Sequence, residues 1–386
     1  MQNRRAVLRL VECEGPIPRV AVAEALGLSQ PTVSEVVAEL AEVGLVVEAG
    51  LGDSTGGRRP VMLRFNDEAA YILAIDLGGT ESQLAIFTLG GREIDHMSAP
   101  LPRAASAREA VELLGRHVRT ILGRDKVSDD RLGAVGVAVP GVVDPVSGEV
   151  TFAPALGWRE AALRSMLEEE LGLPVVIDND VNAATLAELQ FGKSRQYRNF
   201  VYVWIGTGVG AGLIVDGKLY RGHGNFAGEI GYMIVGTQDR SWTPAGFGPL
   251  EGKVALSHVV ERVVGQGAGV LPLSEEDYRA VFERLLKEFE AGQEPALEIV
   301  TDLVESLSRA LINVMLVVAP DVIFIGGPLG QSATLLIPHL GRRMTELSPI
   351  VPELRVASLG ENAGLVGAAA LASGHAQELI LSRLVT

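Results

Sequence analysis

The sequence predicts an α/β protein: a small helical module with a β-hairpin wing, followed by a larger body of alternating strands and helices. Three observations predict it. Two short amphipathic helices separated by a tight turn lie near the start, and a strand–turn–strand pattern follows them. From Tyr71 onward, short apolar runs end in glycine-rich turns. The run Val175-Val176-Ile177 stops abruptly at Asp178-Asn179-Asp180, ahead of an alanine-rich helical pattern from Ala183 to Glu188. Buried strand, polar tip and helix is how α/β proteins place functional side chains at the carboxyl end of a sheet. Asp180 is therefore a candidate for meeting a substrate hydroxyl. The local pattern leaves open that Asp178 or Asp180 merely caps the helix.

Residues 4–14 carry Val7, Leu8, Leu10 and Val11 at helical spacing, and Gly15-Pro16 ends that helix. A second short helix spans Arg19 to Leu26. A third starts near Gln30-Pro31, with Ser29 as N-cap and Pro31 in the first turn, where its missing N–H is harmless. It turns Val33, Val36, Val37 and Leu40 inward and leaves Gln30, Thr32, Ser34 and Glu35 to solvent. This is a helix-turn-helix, whose second helix enters the DNA major groove. Strands at Leu45 to Glu48 and Val61 to Phe65 flank a flexible tip and form a wing, with Arg58 and Arg59 at its base for phosphate contact. Arg4 and Arg5 cluster at the other end, where further backbone contacts would fall. Gln30, Thr32, Ser34, Arg58 and Arg59 are the candidate contacts to a double-stranded operator. Residues 1–66 hold seven basic against eight acidic side chains, so a modest salt dependence is expected.

Composition bounds the rest. A formal charge of −15 argues against a chain that coats nucleic acid nonspecifically, but not against a small DNA-binding module on an acidic body. The single cysteine, Cys13, excludes an internal disulfide or a cysteine-rich zinc site. No apolar run reaches transmembrane length and no signal-peptide core is present, so a cytoplasmic protein without membrane contact is expected.

In the body, Tyr71 to Ile75 is a buried strand ending in Asp76-Leu77-Gly78-Gly79-Thr80, and Leu84 to Phe87 returns beside it. A glycine pair between two strands, preceded by Asp and followed by Thr, can wrap phosphates and a metal-bound water. Ala134 to Val139 is another strand. Phe200 to Ile205 ends in Gly206-Thr207-Gly208-Val209-Gly210-Ala211-Gly212, and Val322 to Ile325 ends in Gly326-Gly327. Any one glycine turn is weak evidence. Two strand–turn–strand units about 130 residues apart suggest a duplicated scaffold holding one nucleotide between two lobes. Helices are expected within residues 103–130, from Leu256 to Gly269, unbroken from Ser274 to Val318, and from Gly364 to Ser373.

These motifs resemble the ROK family of repressors and sugar kinases across essentially the whole chain. The resemblance implies an actin-like, hexokinase-type two-lobed body, preceded by the winged helix-turn-helix that family repressors carry. Its implied domains are a winged helix-turn-helix at 1–66, lobe one at 71–182 plus 363–386, and lobe two at 183–362. Asp76, Gly78, Gly79 and Thr80 match the first phosphate motif, Gly206, Thr207, Gly208 and Gly210 the second, and Gly326-Gly327 the adenosine motif. Asn179 matches a sugar-binding Asn and Asp180 the catalytic Asp, while Glu229 and Glu251 match two sugar-binding glutamates. ATP and Mg2+ are the cofactors so implied. In that chemistry Asp180 takes the proton of the sugar hydroxyl, a step worth about 10²–10⁴ in rate.

The chain departs from the family at one place. Many members hold a structural zinc through a His after Gly-Glu-Ile-Gly and three Cys before the second glutamate. Here those positions are Tyr232, Trp242, Pro244 and Pro249, so no zinc is expected and Tyr232 takes the place of a sugar-touching His.

The leading reading is a sugar-responsive transcriptional regulator, most simply a repressor of carbohydrate metabolism, acting as a homodimer or dimer of dimers on a pseudo-palindromic operator. A winged helix-turn-helix has little purpose on a purely metabolic enzyme. The alternative is an ATP-dependent, glucokinase-like sugar kinase that retains a DNA-binding domain, favoured by Asp180 and by phosphate motifs without evident damage. A nucleotide-binding scaffold with no sugar recognition is the third.

Overall fold

Apolar residues at helical spacing build α1 (Gln2–Glu14), which buries Val7, Leu8 and Val11. The short β1 (Ile17–Pro18) leads into α2 (Arg19–Leu26). Ser29 caps α3 (Gln30–Glu42) by accepting from the Thr32 amide at 3.2 Å, with Pro31 in the first turn. α3 turns Val33, Val36, Val37 and Leu40 into the core, as its spacing requires. β2 (Val46–Leu51) and β3 (Val61–Phe65) pair antiparallel, and β1 adds to the other edge of β3. The computed structural model describes residues 2–52, 59–79, 81–102, 105–124, 126–128, 131–236, 239, 247–264, 275–329 and 332–384. Thr80, the wing tip with Arg58, and the positions Trp242 and Pro244 lie outside them.

The body uses one sheet pattern twice. β4 (Tyr71–Leu77), β5 (Glu81–Thr88) and β6 (Glu93–Pro100) form an antiparallel meander. After α4 (Ala107–Leu122), β7 (Leu132–Val139) joins β4 in parallel. A small antiparallel sheet of β8 (Val142–Asp144), β9 (Glu149–Ala153) and β10 (Trp158–Ala161) then intervenes, followed by α5 (Leu163–Leu171). β11 (Val175–Asn179) pairs parallel with β7, giving the order β11-β7-β4-β5-β6. Past α6 (Asp180–Phe191), β12 (Phe200–Ile205), β13 (Val209–Val215) and β14 (Lys218–Leu219) repeat the meander. Next come α7 (Glu251–Val254), α8 (Leu256–Val264), α9 (Glu275–Glu290) and α10 (Ala296–Val318). β15 (Val322–Gly326) and, after α11 (Ala333–Leu347), β16 (Glu353–Val356) extend the sheet in parallel from β12, completing the order β14-β13-β12-β15-β16. Taken from its other edge, the second sheet has the same order of roles as the first. The turn after β4 and the turn after β12 thus occupy equivalent places, which is the duplicated scaffold expected from the glycine turns.

One helix assignment needs correction. The unbroken helix expected to Val318 is two, α9 and α10, interrupted before Pro295. Proline has no N–H to donate and so opens a helix rather than continuing one. The alanine-rich segment near the end runs further than expected, as α12 (Ala363–Ser382). α12 and α6 carry small residues where they meet: Gly367 lies against Ala183, and a side chain at Gly136 on β7 would overlap the Ala368 carbonyl. This close approach of backbones stacks α12 on both α6 and the first sheet. At its far end α12 meets α1, where Glu378 pairs with Arg5 and Gln377 donates to Glu12 at 3.4 Å. Val7, Leu8 and Val11 belong to the same apolar cluster as Ala376, Ile380 and Leu381, so module and body share a core. Among the described residues no helix is long and apolar enough to cross a membrane.

Candidate functional site

The cleft between the two sheets is organised at the end of β11. Asn179, the last strand residue, is the N-cap of α6: its Oδ1 accepts from the Asn182 amide at 2.9 Å. Its Nδ2 donates to the Gly141 carbonyl and to Asp180 Oδ1, both at 2.9 Å. The Val181 amide donates to the same Asp180 oxygen at 2.8 Å. The helix cap that sequence left between Asp178 and Asp180 therefore falls to Asn179. Asp178 is buried and pairs with Arg221 instead. The hydrogen bonds from Asn179 and Val181 both fall on Oδ1 of Asp180. Burial pushes its carboxyl up to about 6, against the hydrogen bonds from Val181 and Asn179.

Glu229 reaches the same space from the second half of the chain. Gly228 positions it: φ is +94°, and a Cβ there would overlap the Ala211 carbonyl of β13. Burial, then the charges of Asp180 and Glu251, push Glu229 up to about 7. Glu251 opens α7 and accepts from the Val209 amide at 3.0 Å and from the Gly248 amide at 3.4 Å. Burial raises its pKa too, while those two amides oppose the rise. Tyr232 stands at the rim, 37% exposed, its phenol pushed up by burial and by Glu229 and Glu251. Five sequence-predicted residues, Asn179, Asp180, Glu229, Tyr232 and Glu251, are thus brought within mutual influence. Three carboxylates around one space repel each other when ionised. A neutral ligand with several hydroxyl donors relieves that repulsion, which a carboxylate or phosphate ligand would aggravate.

The phosphate-motif residues border this space. Asp76, one residue before the end of β4, lies beside Gly364 at the start of α12, and the Gly78 amide closes a turn on the Glu81 carbonyl at 2.9 Å. Gly79 follows in that turn. On the second sheet the Gly206 amide donates to the Gly208 carbonyl at 2.9 Å, which leaves Thr207 exposed at the tip. Gly208 lies against Glu251, so the second glycine turn and Glu251 are direct neighbours. Gly210 and Gly212 lie inside β13, facing Val181 and Thr185 of α6. Their missing side chains serve helix packing, a reason beside phosphate approach. Gly326 likewise lies on Tyr202, and Gly327 on Ile205.

Sequence reasoning missed Arg221 and Asn225, which tie residues of the second half to the first, and Glu188, which ties α6 to the segment after β16. Arg221, between β14 and Glu229, holds Asp178, and the Asn225 side chain donates to the Val143 carbonyl of β8. Glu188 is buried in α6 and accepts from Ser358 Oγ at 2.7 Å and the Ser358 amide at 3.0 Å. Its signal was available: a carboxylate on an otherwise buried alanine-rich helix needs partners.

In the N-terminal module, Gln30 and Ser34 are exposed on α3, and Thr32 shares its hydroxyl with Ser29 at 2.8 Å. Arg59 is exposed at the base of the wing. Arg4 and Arg5 are engaged elsewhere. Arg4 grips Glu39 of α3 with two bonds of 2.7 and 2.6 Å, and Arg5 pairs with Glu378.

The zinc of family relatives does not fit this donor set. Tyr232, Trp242, Pro244 and Pro249 supply no thiolate or imidazole.

Comparison with known proteins identifies the family. Residues 72–375 match the ROK family model, and residues 2–47 match a winged helix-turn-helix DNA-binding model. The chain is 29% identical over 377 residues to a xylose repressor of Caldicellulosiruptor bescii, covering 96% of this chain and 94% of that protein. A crystal structure of a ROK family transcriptional regulator, a homolog of the E. coli MLC protein, shares its fold with a TM-score of 0.83 at 24% identity, covering 99% of this chain and 98% of that one. A ROK family glucokinase from Streptomyces griseus, solved with glucose and AMPPNP, aligns with a TM-score of 0.63 at 25% identity, over 79% of this chain and 100% of that one. The glucokinase leaves about a fifth of this chain unmatched, whereas the regulator matches nearly all of it. With the ROK family model matching residues 72–375, this chain belongs to the ROK family.

Proposed function

We infer that this protein is a sugar-responsive, DNA-binding transcriptional repressor of carbohydrate metabolism. The observation that carries it is the junction of α1 with α12: the DNA-binding module shares one apolar core with the helix that packs on α6, at whose head Asn179 and Asp180 stand. Sugar binds in the cleft through Asn179, Asp180, Glu229 and Glu251, with Tyr232 at the rim. Gln30 and Ser34 of α3 read bases, and the wing arginines Arg58 and Arg59 contact the phosphate backbone of the operator. Two copies acting together read a pseudo-palindromic site. Release requires that sugar bind the DNA-incompetent arrangement more tightly than the competent one. Xylose, the sugar named for the Caldicellulosiruptor relative, is the first effector to try. Fluorescence anisotropy on an operator selected from random DNA tests the reading: D-xylose or another neutral sugar is expected to weaken binding. Operator affinity indifferent to every sugar that binds the protein would refute it.

A second reading rests on Asp180. A carboxyl with its pKa near 6, next to two phosphate turns, suits a general base. ATP with Mg2+ would be held by Asp76, Gly78, Gly79 and Thr80 on one side, and by Gly206, Thr207, Gly208, Gly326 and Gly327 on the other. The metal-bound nucleotide supplies an activated phosphoryl group, and this chain positions the sugar hydroxyl and accepts its proton. A coupled assay with ATP, magnesium and a sugar panel decides it. Turnover abolished by Asp180→Asn would make the protein a kinase that also binds DNA.

A further inference from the structure

The segment from Glu229 to Glu251 carries a sugar-site glutamate at each end, and an ion pair between a buried carboxylate and a half-buried lysine links Asp239 within it to Lys253. The Asp239 side chain is 1% exposed, and one of its oxygens lies 2.6 Å from Lys253 Nζ. The other accepts from the Val235 and Gly236 amides, both at 2.7 Å. Burial alone would raise the Asp239 carboxyl, but Lys253 and these two amides hold it below the usual range. Lys253 stands on α7, the helix that Glu251 opens. Val235 follows Glu229 by one short turn, and its carbonyl accepts from Arg309 at 3.0 Å. Gly231 and Leu250 join the two ends directly by a backbone bond of 3.1 Å.

We propose that Asp239 and Lys253 are positioning residues for the sugar: their ion pair fixes α7 against the Val235–Gly236 backbone and so sets the spacing between Glu229 and Glu251 without a metal. The proposal rests on reading the cleft as a sugar site. The pair would take the bracing role of the family zinc, whose donors are missing at Tyr232, Trp242, Pro244 and Pro249. A pair with one partner buried tolerates loss of the other poorly, since the remaining charge is stranded. Its effect should reach the ligand, because small displacements of binding groups cost affinity steeply.

The test uses the full-length protein and isothermal titration with D-xylose, D-glucose and N-acetyl-D-glucosamine. For whichever sugar binds the wild type, Asp239→Asn and Lys253→Met are expected to lose about tenfold or more in affinity, and Lys253→Arg to stay within about threefold. Sugar-free operator affinity should stay at the wild-type level in all three, which separates positioning from general unfolding. Lys253→Gln serves as the milder variant if Lys253→Met does not fold. Unchanged sugar affinity in Asp239→Asn and in the Lys253 variants would overturn the proposal. So would parallel weakening of sugar and operator binding. If the wild type bound ATP and none of the sugars, the sugar reading itself would fail and take this proposal with it.

Discussion

Arg5 of α1 forms an ion pair with Glu378 of α12, joining the DNA-binding module to the helix that packs on α6. Both side chains are about half exposed, so water and salt screen the pair and it contributes little by itself. The apolar packing beside it, Val7, Leu8 and Val11 with Ala376, Ile380 and Leu381, supplies most of the junction. Glu378→Ala is therefore expected to change the ratio of sugar-free to sugar-bound operator affinity by less than about fivefold. Ala376→Asp, which forces a charge into the apolar packing, should reduce that ratio much further. Operator titrations with and without sugar measure both. Equal and small effects from the two variants would show that the junction does not carry the signal.

Sugar affinity should depend on pH between about 5 and 8. Asp180 titrates at about 6 and Glu229 at about 7. Sugar hydroxyls donate to the ionised carboxylates, so binding favours the deprotonated form. Affinity is then expected to rise with pH through about 6 to 7 and level off above about 8, by up to about tenfold per pH unit for each coupled group. Calorimetry across that range reads it directly. A flat profile would mean that neither carboxylate meets the ligand in its charged form.

The same two groups should lower stability at high pH. Their folded-state pKa values stand above the ordinary 3.8 and 4.5, so their favourable contribution is complete below about pH 4. It diminishes as pH rises through about 6 and 7, when the folded state must hold buried charge. Asp180→Asn and Glu229→Gln are each expected to stabilise the sugar-free protein by on the order of 1–2 kcal/mol at about pH 8, and by nearly nothing at about pH 4. Each should also weaken sugar binding, since a hydrogen bond to a charged group is worth about 1.5–3 kcal/mol. Chemical denaturation at the two pH values, paired with sugar titration, checks both halves.

Local pattern carried the N-terminal module and the polar tip well. Ser29 and Pro31 mark the start of α3, and the abrupt end of Val175-Val176-Ile177 marks where β11 delivers Asn179 and Asp180. These signals lie within a few residues of what they specify. The duplicated sheet was legible because each central strand ends in its own glycine turn. Arg221 and Asp239 were not legible. Arg221 finds Asp178 across 43 positions, and Asp239 finds Lys253 only once α7 has folded back. Which side chain would cap α6 was also undecidable locally, since Asp178 answers to a distant arginine. Periodicity also missed the break before Pro295, because the apolar pattern continues on both sides of it.

Gly212 offers a packing test that leaves the sugar-site carboxylates alone. It lies in β13 where α6 crosses, and a Cβ there would overlap the Thr185 hydroxyl. Thr185 is fully buried and donates to the Val181 carbonyl at 2.6 Å, so it has no free direction in which to move. Gly212→Ala is expected to destabilise the protein by about 1–3 kcal/mol, the usual cost of overpacking. Gly212→Ala combined with Thr185→Ala should recover part of that stability. A single substitution that leaves the urea midpoint unchanged would show that β13 and α6 do not meet this closely.

The DNA-binding face makes a prediction that separates base reading from backbone contact. α3 presents Gln30 and Ser34 to solvent and contains no basic residue, and Arg4, which lies against it, is held by Glu39. On the proposed assignment, specificity rests on neutral side chains and phosphate attraction on the wing. Gln30 suits bidentate bonds to adenine in the major groove. Gln30→Ala is expected to cost about 1–3 kcal/mol on the preferred operator and to relax selection at one base pair, with the salt dependence unchanged. Arg59→Ala should weaken all sequences alike and lower the slope of log affinity against log salt by about 0.9 for each phosphate that Arg59 neutralises. In a dimer both changes act in each half-site, so the slope change should be about twice that value. Anisotropy titrations at several salt concentrations, on selected and scrambled DNA, distinguish the two. If Gln30→Ala altered the salt slope while Arg59→Ala altered base preference, the assignment of α3 to bases and the wing to phosphates would be reversed.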